Sequence, residues 1–109
     1  LAFTNGDIGI DMNKLELKVL AWAKQKGILD TGTVAGQLGK LHEEFKELED
    51  AVSFEDMPEI ADAIGDMQVV LIILAEMYGL SAQECLEGAY EVIARRKGEM
   101  VNGVFVKDE

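Results

Sequence analysis

Between Asp56 and Gly79 the chain reads "DMPEIADAIGDMQVVLIILAEMYG", and only a helix with partners on two sides accommodates that pattern. At 100° per residue, with Asp62 at zero, Asp66 falls near ~40° and Glu59 near ~60°, so three carboxylates share one face over two turns. Followed further, the same face carries Val69, Val70, Ile73 and Met77, while the opposite arc carries Ile60, Ile64, Met67, Leu71 and Leu74. A helix apolar on two sides lies centrally in a bundle, and carboxylates continuous with an apolar stripe point towards an interior or a cleft. Asp56-Met-Pro-Glu59 has the form of a capping box with Pro in the first turn, and Gly79 is a natural stop.

The remaining segments fit around this helix. Asn13 to about Lys26 places Leu15, Val19, Trp22, Ala23 and Lys26 on one stripe ahead of Gly27. After a connector in which Thr31 or Thr33 supplies the cap, a second helix running to about Val52 presents Leu38, Leu41, Phe45, Leu48 and Val52. Ser81-Ala-Gln-Glu84 opens a fourth helix with Ala82, Leu86, Ala89, Tyr90 and Ile93 facing inward. In the tail "MVNGVFV", Asn102-Gly103 suits a type I′ turn between two short strands. The expectation is an all-α four-helix bundle with a short C-terminal hairpin or tail. Residues 1–12 lack periodicity and are read as a tag or disordered segment before a natural start at Met12, leaving 13–109 as a single domain.

Composition supports this. With 49% hydrophobic but only 6% aromatic residues and one Pro, the core is aliphatic, as in packed helices. A net charge of −11 argues against a nucleic-acid backbone or an anionic membrane as partner. The run "MQVVLIILAEM" is too short to span a bilayer. A lone Cys85 forms no intrachain disulfide and reads as a small buried hydrophobe, and with no secretory leader in view the expected compartment is the cytoplasm.

The second helix carries Glu43, Glu44 and Glu47, with Glu44 bordering the apolar stripe. Like charges one turn apart on two antiparallel helices repel unless cations compensate, and few basic residues lie nearby in sequence. Carboxylates gathered from both helices suit Mg²⁺ or Mn²⁺. Glu16, Glu49, Asp50, Glu55, Glu76, Glu84, Glu87, Glu91 and Glu99 are read as solvated. His42, the one histidine, is read as a surface residue, which disfavours zinc and paired Glu-x-x-His di-iron sites. "GQLGK" lacks the spacing of a phosphate loop. Arg95, Arg96 and Lys97 either complement the dipole of the fourth helix or contact ligand phosphates. Trp22 and Tyr90 either fill the core or stack on a base.

These residues resemble the MazG-like superfamily of all-α nucleoside triphosphate pyrophosphatases, which includes dimeric dUTPases and phosphoribosyl-ATP pyrophosphohydrolases, in its small phage and bacterial form. Its hallmark is E-E-x-x-E on one helix and E-x-x-D on the next. "EEFKE", Glu43 to Glu47, matches the first half. For the second half, Glu59-Ile-Ala-Asp62 matches literally but early, whereas "IGDMQVVLI" selects Asp66 and leaves Ala63 where Glu is expected, with Asp62 or Glu59 as substitutes. The resemblance covers about residues 13–97. It implies Mg²⁺-dependent cleavage (Mn²⁺ as an alternative) between the α- and β-phosphates of a nucleoside triphosphate, giving a monophosphate and pyrophosphate. Glu44, Glu47, Asp62 and Asp66 would hold metal, and Glu43 or Glu59 would orient water or accept its proton. Arg95, Arg96, Lys97 and Trp22 would bind substrate, in a homodimer or homotetramer. The alternatives are a noncatalytic helical module that self-associates or binds a partner, and a nucleotide sensor without hydrolysis.

Overall fold

The computed structural model describes residues 12–109, so the reading of residues 1–11 lies outside the described residues. The element order is α1 (Met12–Gln25), α2 (Ile28–Thr31), α3 (Val34–Ser53), α4 (Met57–Met77), α5 (Ala82–Ile93), β1 (Gly98–Val101) and β2 (Val104–Lys107). Four long helices and a hairpin thus form as the sequence indicates. The one-turn α2 was not anticipated: it is too short for any apolar period and is fixed by local bonds. Thr31 N–H and its hydroxyl both donate to Gly27 O. Lys24 Nζ pairs with Asp30 at 2.6 Å.

Caps set the helix limits. Thr33, not Thr31, caps α3, accepting from Gly36 N–H at 3.0 Å. Asp56 accepts from Glu59 N–H to open α4, and Ser81 accepts from Glu84 N–H to open α5. At the end of α4, Gly79 adopts a left-handed φ of 69° while Leu80 N–H returns to Ala75 O. The end of α3 has the same geometry with an unexpected residue. Glu55 holds φ 53°, its N–H donating to Val52 O and Asp56 N–H to Ala51 O, a Schellman closure without glycine. The resulting tight connection makes α3 and α4 antiparallel neighbours, and theirs is the main packing contact of the molecule.

The core is small. Ala23, Ala51, Ala63, Val70 and Ile73 are its buried hydrophobic residues, and among the described residues no large side chain is fully buried. Helix α3 packs through Leu41, Glu44, Leu48 and Ala51, rotated from the expected stripe, so that Leu38, Phe45 and Val52 lie along an open edge. Helix α5 departs further. Leu86 and Tyr90 are 62% and 64% exposed, and Ile93 is exposed as well, because α5 leans on α1 and α4 only near its start. Cys85 is likewise exposed rather than buried.

Glu16, read as solvated, is buried and bridges elements instead. Its carboxylate accepts from Ser81 Oγ at 3.1 Å and from Ala82 N–H at 2.8 Å, meeting the positive end of α5 from the side of α1. The hairpin pairs Val101 with Val104 across Asn102 (φ 50°) and Gly103 (φ 87°), the turn expected from that dipeptide, and both its faces are exposed. Among the described residues no helix is long and apolar enough to cross a membrane.

Candidate active site

The antiparallel turn fixes which residues of α3 and α4 stand level. Glu44 lies nine residues before Ser53 and Asp66 nine after Met57, so equal rise brings the two to about the same height. By the same count Glu47 stands level with Ala63, and Gln37 with Ile73. The backbone therefore aligns "EEFKE" with Ala63 to Asp66 rather than with Glu59 to Asp62.

A cleft of about 660 Å³ opens beside this pair of helices, roofed by α1 and by α2 with its following loop. Glu43, Glu44 and Asp66 lie at its acidic end. Val69, Val70 and Ile73 form its floor, and Trp22 stands at the rim. Glu44 is only 4% exposed. Lys40 Nζ lies 3.6 Å from Glu44 Oε1, while Glu44 Oε2 is sealed from solvent with no hydrogen-bond partner. Burial first, then a hydrogen bond with Glu47 that only a protonated carboxyl can make and the negative charge of Glu47, push the Glu44 carboxyl above its ordinary 4.5, against the opposing pull of Lys40; with both groups ionised that hydrogen bond is lost and Oε2 has no donor. A buried carboxylate oxygen without a donor is costly, and hard divalent cations are the ligands that oxygen donors of this kind favour. The residue types therefore fit Mg²⁺ or Mn²⁺. Among the described residues, no group of three or more His, Cys, Asp or Glu side chains is placed to hold a metal ion.

The other residues singled out from the sequence are distributed as follows. Glu47 is exposed and approaches Glu44 from the next turn without lining the cleft. Asp62 lines a different space, an apolar groove of about 930 Å³ between α1, α4 and α5, and Asp66 borders both. Glu59 is exposed and lines neither. Arg95, Arg96 and Lys97 follow α5, fully outside both spaces. Two polar side chains of the cleft were not singled out as site residues: Lys40, signalled by its i, i+4 spacing to Glu44, and Gln37, which nothing in the sequence distinguishes from a surface glutamine. His42 is exposed, as expected.

A model of the phosphoribosyl-ATP pyrophosphohydrolase family matches residues 22–97, from the cleft-rim tryptophan through the basic segment after α5. The chain belongs to that family. The family match takes in both carboxylate helices, and the all-α architecture found here agrees with it. The chain is also 36% identical over 66 residues to an uncharacterised 18.2 kDa protein from the rep-hol intergenic region of Haemophilus phage HP1 (strain HP1c1), an alignment covering 61% of this chain and 40% of that protein. The chain thus spans well under half the length of that relative. No solved structure matches the chain.

Proposed function

We propose that this chain is a nucleotide pyrophosphohydrolase of the MazG-like superfamily, a Mg²⁺-dependent hydrolase that splits a nucleoside triphosphate between its α- and β-phosphates. The observation that carries the reading is the Glu44 carboxylate, buried and half-unpartnered, level with Asp66 at the acidic end of a cleft of nucleotide size. Membership of a pyrophosphohydrolase family supports it independently.

In this scheme Glu44 and Asp66 would hold the cation, with Glu47 and Asp62 as further carboxylates on the same two helices. When bound, the cation supplies charge neutralisation at the phosphates and lowers the pKa of water. Glu43, which lines the cleft without being buried, is better placed than Glu59 to orient that water and accept its proton. Lys40 neutralises phosphate charge beside Glu44, and Trp22 covers the base. Arg95, Arg96 and Lys97 meet the phosphate tail only across a contact with a second subunit, and the exposed apolar face of α5 and the hairpin supports a homodimer or homotetramer.

The test is pyrophosphate release from a panel of ribo- and deoxynucleoside triphosphates with Mg²⁺. Release that falls at least about 100-fold in Glu44→Gln and in Asp66→Asn, with both variants folded, is the expected result. Orthophosphate as the first product, or undiminished release in both variants, would overturn it. One observation favours a second reading, a nucleotide sensor without turnover. Ala63, where the family pattern has Glu, is 2% exposed against α3 and leaves Glu47 facing no carboxylate. Binding of the same nucleotides with no product would identify that case.

A further inference from the structure

The hairpin and the groove between α1, α4 and α5 are each incomplete within one chain. Strands β1 and β2 pair with each other, and among the described residues the hairpin packs chiefly on itself, with Met100, Val104 and Phe105 exposed. A two-stranded ribbon of this length is at best marginally stable in water and needs a surface to lie on. Its two faces differ. In the observed register Gly98, Met100, Phe105 and Lys107 share one face, and Glu99, Val101, Val104 and Val106 share the other. On the first face the Phe105 ring lies over Gly98, where a Cβ would come within 2.8 Å of it. Phe105 and its cross-strand partner Met100 therefore form one apolar patch, and the single charge beside it is the cation Lys107.

The groove is the complementary surface. Its walls are mainly aliphatic, with Leu15, Val19, Leu71 and Leu86 among them, and its charged lining residues, Glu16, Asp62 and Asp66, are all anionic. The hairpin does not reach the groove of its own chain. Helix α5 lines the groove only through its first turns, Ala82 to Leu86, and the hairpin leaves from the other end, about 10 Å further along the axis. There Arg95 N–H and Arg96 N–H bond back to Val92 O and Ile93 O, which tightens the connection into a turn. We propose that the groove receives the Met100 and Phe105 face of the hairpin from a second copy of this chain, each copy giving one hairpin and taking one. Lys107 and the segment Arg95, Arg96 and Lys97 then meet a lining whose charges are all negative, while Glu99 stays on the outer face. The groove lining and the ten residues of the hairpin supply about thirty residues a side, enough for a stable interface. Asp66 borders both the groove and the cleft, so the exchanged basic segment arrives beside the cleft of the other copy. This gives a surface to the self-association proposed above and rests on that reading, not on hydrolysis.

Cys85, the one cysteine of the chain, is exposed and lines the groove, so it serves as the probe. The wild-type protein is mixed with a mass-tagged chain carrying Cys85→Ser and one new cysteine, at Met100, Val101, Val104 or Phe105, and treated with a short thiol-to-thiol cross-linker. The expected product joins one chain of each kind, and its yield alternates along the hairpin: high from Met100→Cys and Phe105→Cys, severalfold lower from Val101→Cys and Val104→Cys. Phe105→Glu should bring the mass by light scattering down to that of the single chain, with helicity by circular dichroism unchanged. If that variant does not fold, the cross-linking pattern alone decides. An oligomer whose hairpin cysteines join Cys85 equally or not at all, or one that persists in folded Phe105→Glu, overturns the docking and leaves self-association intact. A monomer at all concentrations overturns both, while the nucleotide reading answers separately to pyrophosphate release.

Discussion

Glu44 is the residue on which the proposed site turns. Its carboxyl is held above the ordinary range by burial and by Glu47, so it is the protonated form that the fold favours. A group whose pKa is raised on folding contributes stability that is present below its unfolded value, near 4.5, and is lost as pH rises through the folded value. Glu44→Gln should therefore melt higher than the wild type at pH 7 without divalent cation, by of order 1 kcal/mol, the cost of one unsatisfied buried polar atom. That advantage should vanish near pH 4, and thermal melts across this range for the two proteins measure it. Added Mg²⁺ should narrow the gap at pH 7 by stabilising only the wild type. A Glu44→Gln protein less stable than wild type at pH 7 would mean the carboxylate already has a partner. The inward position of Glu44 could be read from the sequence, since it borders an apolar stripe. Its orphaned oxygen could not, because that depends on how α3 is rotated against α4, and the helix packs through Leu41, Leu48 and Ala51 rather than through Leu38, Phe45 and Val52.

Among the elements, the helix ends separate what sequence signals well from what it signals poorly. Gly79 marked the end of α4 because glycine tolerates the left-handed conformation found there. Glu55 does the same work for α3 with a Cβ, and no composition rule marks it. Glu55→Gly should consequently stabilise the protein by about 1 kcal/mol, read as an increase in Tm with unchanged helicity by circular dichroism. The Glu16 cap makes the complementary case. A buried glutamate that fixes one helix to the start of another, 65 residues away, has no local signature, and it was read as a surface charge. Glu16→Ala and Ser81→Ala should each cost about 1–2 kcal/mol in chemical denaturation, and the double variant should cost less than their sum, since both remove the hydrogen bond between the Ser81 hydroxyl and the Glu16 carboxylate. The presence of α3 and α4 as antiparallel neighbours, by contrast, was legible from their N-caps and periods, though not the rotation of α3, and that pairing is what levels Glu44 with Asp66.

For the whole molecule, the radius of gyration is 16.3 Å, against roughly 13 Å for a compact chain of this length. Leu86, Tyr90, Ile93 and the hairpin hydrophobes Met100, Val104 and Phe105 remain exposed. The sequence correctly supplied the amphipathic period of α5, but a period gives a face, not the identity of what covers it. Light scattering coupled to size exclusion should give a multiple of the 11.9 kDa chain mass, and Leu86→Glu with Tyr90→Glu should shift it towards the monomer. A monomer at all concentrations would remove the proposed role of Arg95, Arg96 and Lys97 across a subunit contact. Binding of Mn²⁺ followed by the loss of its free-ion electron paramagnetic resonance signal bears most directly on the proposed shared site of α3 and α4. Saturable binding near neutral pH that is abolished by Glu44→Gln and equally by Asp66→Asn is the expected result, and binding that persists in either variant would contradict it.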